Sequence, residues 1–206
     1  MNLTCYTTEI TLIKDILVSV AAITTATLAI FGYSKWKKEI KGKSEYSLAK
    51  DILSSVYKVK RGFSIVRNPM IMAYEYPEGI LDDYGMVPRE QDYEATAHVY
   101  EKRWEKFSDF FKELEEKVLD GSVEWGMDFE ELIKPMRECR AELKVCIMNF
   151  LERKKNPLER ELSNREKKNE EKSVLYEIGK ESKNDLFTPQ INDAVSGFEK
   201  RLRKYV

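Results

Sequence analysis

Histidine is almost missing from this chain: His98 is the only one among 206 residues. Cysteine is scarce too, with three residues and no Cys-x-x-Cys pair. So odd and small a count argues against a disulfide framework, and one histidine leaves too few ligands for a Cys/His zinc site. The composition fits a reducing compartment, and neither a metal nor a cofactor is expected. Net charge is missing as well. The chain has 35 Lys and Arg against 36 Asp and Glu, so it has no global positive field for nucleic acid and no acidic tail. Also absent are a phosphate loop, a dinucleotide fingerprint, a His-Glu-x-x-His, a Gly-x-Ser-x-Gly and a calcium-loop pattern. No catalytic residue is assigned. The abundant carboxylates, as in ELEEK and DFEEL, read as exposed helix faces, and the chain is not expected to be an enzyme.

What the chain does have is one long apolar run. Asp15 is followed by Ile16 to Tyr33, eighteen residues without a charge, which at about 1.5 Å each span roughly 27 Å, close to the hydrocarbon thickness of a bilayer. A cleaved signal peptide is the competing reading. The leader MNLTCYTTEITLIKD lacks a basic start, however, and no A-x-A-like site precedes the lysines. Lys35, Lys37, Lys38, Lys41 and Lys43 follow the run against Glu39 alone, whereas the leader has only Lys14. That bias places the N-terminus outside and the C-terminal part in the cytoplasm, with Tyr33 and Trp36 as interfacial anchors beside Lys35, Lys37 and Lys38. A single-pass protein in contact with the lipid bilayer is expected.

The run is uneven around its circumference. At about 100° per residue, Asp15, Ser19, Ala22, Ala26 and Ala29 share one face, with Ala21, Thr25 and Gly32 beside them. Ile16, Leu17, Val20, Ile23, Leu28, Ile30 and Phe31 fall opposite. Small residues let helix backbones approach, and a boundary carboxylate such as Asp15 is costly without a partner or water. Asp15, Ser19, Ala22, Thr25, Ala26 and Ala29 are therefore the candidate assembly or pore-lining face of a homo-oligomer. The plainer alternative is that the alanines and threonines are filler and Asp15 marks the outer edge.

Downstream, helical periods dominate. Leu48, Ile52, Val56, Val59, Phe63 and Val66 recur as a face that continues the first helix until Arg67-Asn68-Pro69 stops it. A long connection follows, MIMAYEYPEGILDDYGMVP, of the kind that is either docked or used. A second helix carries Tyr93, Ala97, Tyr100, Trp104, Phe107, Phe111, Leu114 and Val118 and should end at Gly121. A third carries Phe129, Leu132, Met136, Cys139, Leu143, Cys146 and Phe150, and the turn DGSVEWGMD between them suits an antiparallel pair. Both cysteines lie on that seam, too far apart along a helix to bond to each other. Residues 152–172 are charged at 14 of 21 positions, as in a solvated helix or linker. After the apolar patch SVLYEIG, Thr188 and Pro189 read as an N-cap and first-turn proline for a last helix with Ile191, Val195, Phe198, Leu202 and Tyr205. Its basic end, Lys200, Arg201, Arg203 and Lys204, suits the helix dipole. The organisation is then a short extracytoplasmic leader (1–15), a transmembrane helix (16–34), a juxtamembrane helix and bundle (35–151), a charged linker (152–172) and a C-terminal segment packing on the bundle (173–206). The fold class is all-α.

This order of a single span, a lysine-rich juxtamembrane helix, an RNP break and a terminal DLFTPQINDAVSGFEKRLRKYV resembles bacterial single-span proteins with helical cytoplasmic domains. It is also similar to the small membrane-anchored accessory proteins of type VI-B CRISPR loci. The resemblance implies a HEPN-like helical domain, assembly into a pore in the bacterial inner membrane, and a part in antiphage defence beside a cytoplasmic protein effector. Helical ribonucleases of the HEPN type use an arginine, four to six residues, then a histidine. Counting back from His98, those positions hold Tyr93, Asp92 and Gln91, so the nuclease motif is missing. A membrane-tethered adaptor without channel activity is the alternative function.

Overall fold

The computed structural model describes residues 3–126, 128–155, 172–177, 185 and 187–206, with side chains from Lys14 onward. Among the described residues there is helix and no strand. Four long helices form: α1 (Leu3–Val66), α2 (Asp92–Trp125), α3 (Glu130–Lys155) and α4 (Phe187–Leu202). The chain divides into two compact units, Met1–Tyr46 and Ser47–Val206.

The described residues of the first unit, 3–46, are helix alone. An 18-residue window in it has a mean hydropathy of 1.9, and none of that window is buried by the protein. By length and composition, this is the one described helix able to cross a membrane.

The second unit has a continuous core. Ala49, Ile52, Val56, Val59, Phe63 and Val66 of α1 are buried at the expected spacing, with Leu48 half-buried. They meet Phe107, Phe111, Leu114 and Val118 of α2, Met136, Cys139 and Leu143 of α3, and Ile191, Val195, Phe198 and Leu202 of α4 in one cluster. Aromatic rings fill its middle: Phe107 lies 4.7 Å from Phe63, 5.3 Å from Trp104 and 6.1 Å from Phe111, centroid to centroid. Tyr205 is half-buried and stacks on Trp125 at 4.4 Å. The pairs between α2 and α3 run in opposite numerical order, Arg137 to Glu115, Arg140 to Ser108 and Lys154 to Asp92.

Several boundaries and phases differ from expectation, each for a local reason. α2 runs through Gly121 to Trp125, and its left-handed cap is Gly126, at φ 60°. Only glycine takes that conformation without strain. On α2, Ala95, Thr96, Val99 and Arg103 are buried, whereas Tyr93 and Ala97 are half-exposed. On α3 the buried line includes Ile133 and Ile147, while Leu132, Cys146 and Phe150 sit at its edge, half-buried. A run of neighbouring apolar residues fits two phases of one helix, and the position of α4 selects between them. Cys139 is core, as expected, and its burial pushes the thiol up to about 11.

Thr188 is not the N-cap of α4. The helix begins at Phe187, and the Asp185 carboxylate accepts from the backbone N–H groups of Phe187 (3.2 Å) and Thr188 (2.9 Å). A carboxylate satisfies those orphan donors and complements the dipole better than a hydroxyl does. Pro189 remains in the first turn. Of the charged stretch 152–172, residues 152–155 complete α3, and residues 156–171 lie outside those described.

Candidate functional site

The predicted assembly residues Asp15, Ser19, Ala22, Thr25, Ala26 and Ala29 all lie on α1, and all are exposed. The helical period brings them to one side, and it also places Val18 among them. Val18 was missed because the small-residue spacing drew attention away from the branched residue between its members. The opposite side is bulky, with Leu17, Leu28 and Phe31 between 64% and 69% exposed, while Ile30 falls within about 20° of Ser19 and flanks the small face.

Four hydroxyls of the apolar run are already occupied. Ser19 donates to the Asp15 carbonyl at 2.7 Å, and Thr24, Thr25 and Thr27 donate to the carbonyls of Val20, Ala21 and Ile23 at 2.8 Å. Each donor is thus satisfied inside its own helix, the condition hydrocarbon imposes on polar groups. At the helix's basic end Tyr33 and Trp36 sit 6.2 Å apart, and Lys35, Lys37 and Lys38 are exposed.

In the second unit, two buried arginines organise the connections. Arg67, the residue after α1, is 1% exposed. Its Nε donates to the Val174 carbonyl (2.8 Å), Nη1 to Thr188 Oγ1 (2.8 Å), and Nη2 to the carbonyls of Ser173 (2.8 Å) and Tyr176 (3.1 Å) and to Asp185 (3.1 Å). In return, the Arg67 carbonyl accepts from the Glu177 N–H at 2.9 Å. The guanidinium also lies 5.0 Å from the Phe187 ring centroid. All five of its N–H positions are suited to such fixed acceptors. Burial pushes the Asp185 carboxyl up, but the side-chain and backbone hydrogen bonds of Thr188, together with the Arg67 charge, outweigh it and hold the group below the usual aspartate range.

Arg103, in α2, pins the 67–91 connection. It grips Glu75 with both prongs at 2.6 and 2.9 Å and donates to the carbonyls of Asn68 (2.6 Å) and Met70 (2.7 Å). The Arg103 hydrogen bond holds the Glu75 carboxyl below its ordinary range. Further along, Asp82 Oδ1 accepts from the N–H groups of Tyr84 and Met86, and the backbone of residues 82 and 86 pairs at 2.9 Å. The result is a braced loop that presents Tyr74 (86% exposed), Tyr84 (91%), Met70 and Met86 to solvent. The periodic reading of α2 passed over Arg103. The visible signal is a charged residue four after Val99 and four before Phe107, on the buried side of the helix.

Because Asp185 and Glu75 have lower pKa values folded than unfolded, the unfolded chain takes up protons first as pH falls. The stability they contribute is complete above the unfolded carboxylate range and is lost as pH drops from that range through their lower folded values. We expect the thermal midpoint of the second unit, followed by near-ultraviolet circular dichroism, to fall steadily between about pH 5 and pH 3. Asp185→Asn should be less stable at neutral pH and show a flatter fall.

Among the described residues no three or more His, Cys, Asp or Glu side chains gather closely enough to hold a metal ion. His98 is half-buried on α2. No protein-family model, curated protein or solved structure was found to match this chain.

Proposed function

We propose that this protein is a single-pass, homo-oligomeric membrane channel or effector, with its N-terminus outside and an antiparallel, HEPN-like helical bundle in the cytoplasm. One observation carries the reading. A helix of membrane-spanning length has a stripe of small residues, Ser19, Ala22, Ala26 and Ala29, under a boundary carboxylate, Asp15, and all five are exposed among the described residues. In lipid there is no hydrophobic gain from pairing helices, so close backbone approach along small side chains supplies the association. The likeness to accessory proteins of type VI-B CRISPR loci adds antiphage defence by membrane permeabilisation as the setting.

Ala22→Leu with Ala26→Leu should split the oligomer of the detergent-solubilised protein, read as its mass by light scattering, and reduce ion leakage from reconstituted vesicles. Leu28→Ile on the opposite face should change neither. Unchanged mass and leakage in the double variant would remove the reading. What remains would be a tethered adaptor, which the exposed Tyr74 and Tyr84 of the braced loop favour as the second reading.

A further inference from the structure

A cleft of about 550 Å³ runs between α3 and α4 of the second unit. Its floor is apolar and shallow, with the buried Cys139 and Ala194 and the half-buried Leu132. Its rim is acidic: Glu131, Glu138 and Glu142 on α3 and Asp193 on α4, all exposed. Among the described residues no Lys or Arg lines it. Some carboxylates elsewhere on this unit are matched by cations, as Glu113 is by Lys58, Glu115 by Arg137 and Asp92 by Lys154, and among the described residues these four are not.

Pro135 also lines the cleft, and lacking an N–H it cannot donate to the carbonyl of Glu131 one turn earlier. The carboxylates are strung out along the cleft. Glu131 and Glu142 are eleven residues apart, about 16 Å on a helix, and no three converge enough to hold a metal ion. A small ion would meet one or two of them, whereas an elongated cationic partner would meet all four.

We propose that this cleft is a docking groove for a cationic amphipathic helix of a protein partner, with small apolar side chains on the floor and Lys or Arg at the rim. Helix-in-groove recognition needs an apolar stripe of matching depth together with complementary charge at its edges, and this cleft presents both. Cys139, Ala194 and Gly197 are small, so a docked helix whose inward side chains are also small can bring its backbone close to the floor.

The test uses the full-length protein in nanodiscs of zwitterionic lipid and a fluorescent Ala/Lys helical peptide about four turns long, with binding followed by anisotropy. Saturable binding is expected, weakening as salt rises. It should fall at least about tenfold in Glu138→Lys with Asp193→Lys, and less in the neutral pair Glu138→Gln with Asp193→Asn, with circular dichroism unchanged in both. An Ala/Glu peptide of the same length should not bind. No binding to the unaltered protein, or equal binding to the charge-reversed one, would overturn the proposal. Displacement of the peptide by an equal concentration of spermine would also overturn it, and would assign the cleft to small polyamines instead.

Discussion

Arg67→Ala should lower the thermal midpoint of the second unit by about 6 to 20 °C, read by near-ultraviolet circular dichroism of the detergent-solubilised chain at neutral pH. The side chain donates to three carbonyls, a hydroxyl and a carboxylate from a position that is 1% exposed. Truncation leaves Asp185, itself 6% exposed at its side chain, without its cation. Removing one partner of a buried pair costs about 3–5 kcal/mol, mostly because the other charge stays behind. For a unit of this size each kcal/mol moves the midpoint by roughly 2–4 °C. Arg67→Lys should recover little, since one ammonium cannot reach acceptors arranged around a planar fork. A midpoint shift below about 2 °C in Arg67→Ala would mean that the 173–177 segment and the start of α4 hold their places without it.

The second large effect concerns Gly62, where two forces oppose each other. Helix propensity favours alanine over glycine by up to about 1 kcal/mol in a helix interior. A Cβ at residue 62, however, would lie 2.4 Å from Phe107 Cδ2, 3.2 Å from its Cε2 and 3.3 Å from Phe110 Cδ2. Phe107 cannot swing aside, because Phe63, Trp104 and Phe111 hold its ring on several sides. Overpacking of this kind costs about 1–3 kcal/mol or more, so the collision wins and Gly62→Ala should be destabilising. Gly42→Ala meets nothing within 4 Å and should cost nothing. Equal unfolding midpoints for Gly62→Ala and the unaltered chain would show that α1 can retreat from α2 at no cost.

The parts of this fold that were legible in sequence are those written in local spacing. Ile52, Val56, Val59 and Phe63 announce the buried face of α1, and Ile191, Val195, Phe198 and Leu202 that of α4, because one helix with one partner side needs only its own period to be read. The phase of α3 was less legible. Leu132 and Ile133, and Cys146 and Ile147, are adjacent apolar pairs, and which member turns inward depends on where α4 sits. The arginines were least legible of all. Arg67 meets partners 106 to 121 residues away, and no local pattern encodes such a distance. The same holds for the α3/α4 cleft, whose rim combines Glu138 with Asp193 from separate helices. The candidate span residues share a side by helical period alone, with Val18 and Ile30 beside them.

The loop carrying Tyr84 is fastened at three points, by the Arg103 fork, by the Glu75 carboxylate on the Met72 N–H and by Asp82 within its own turn. Its conformational freedom was given up when the chain folded. Whatever meets Tyr74 and Tyr84 can therefore bind without first having to still a moving strand, so contact there should be fast to form and governed by how long the partner stays.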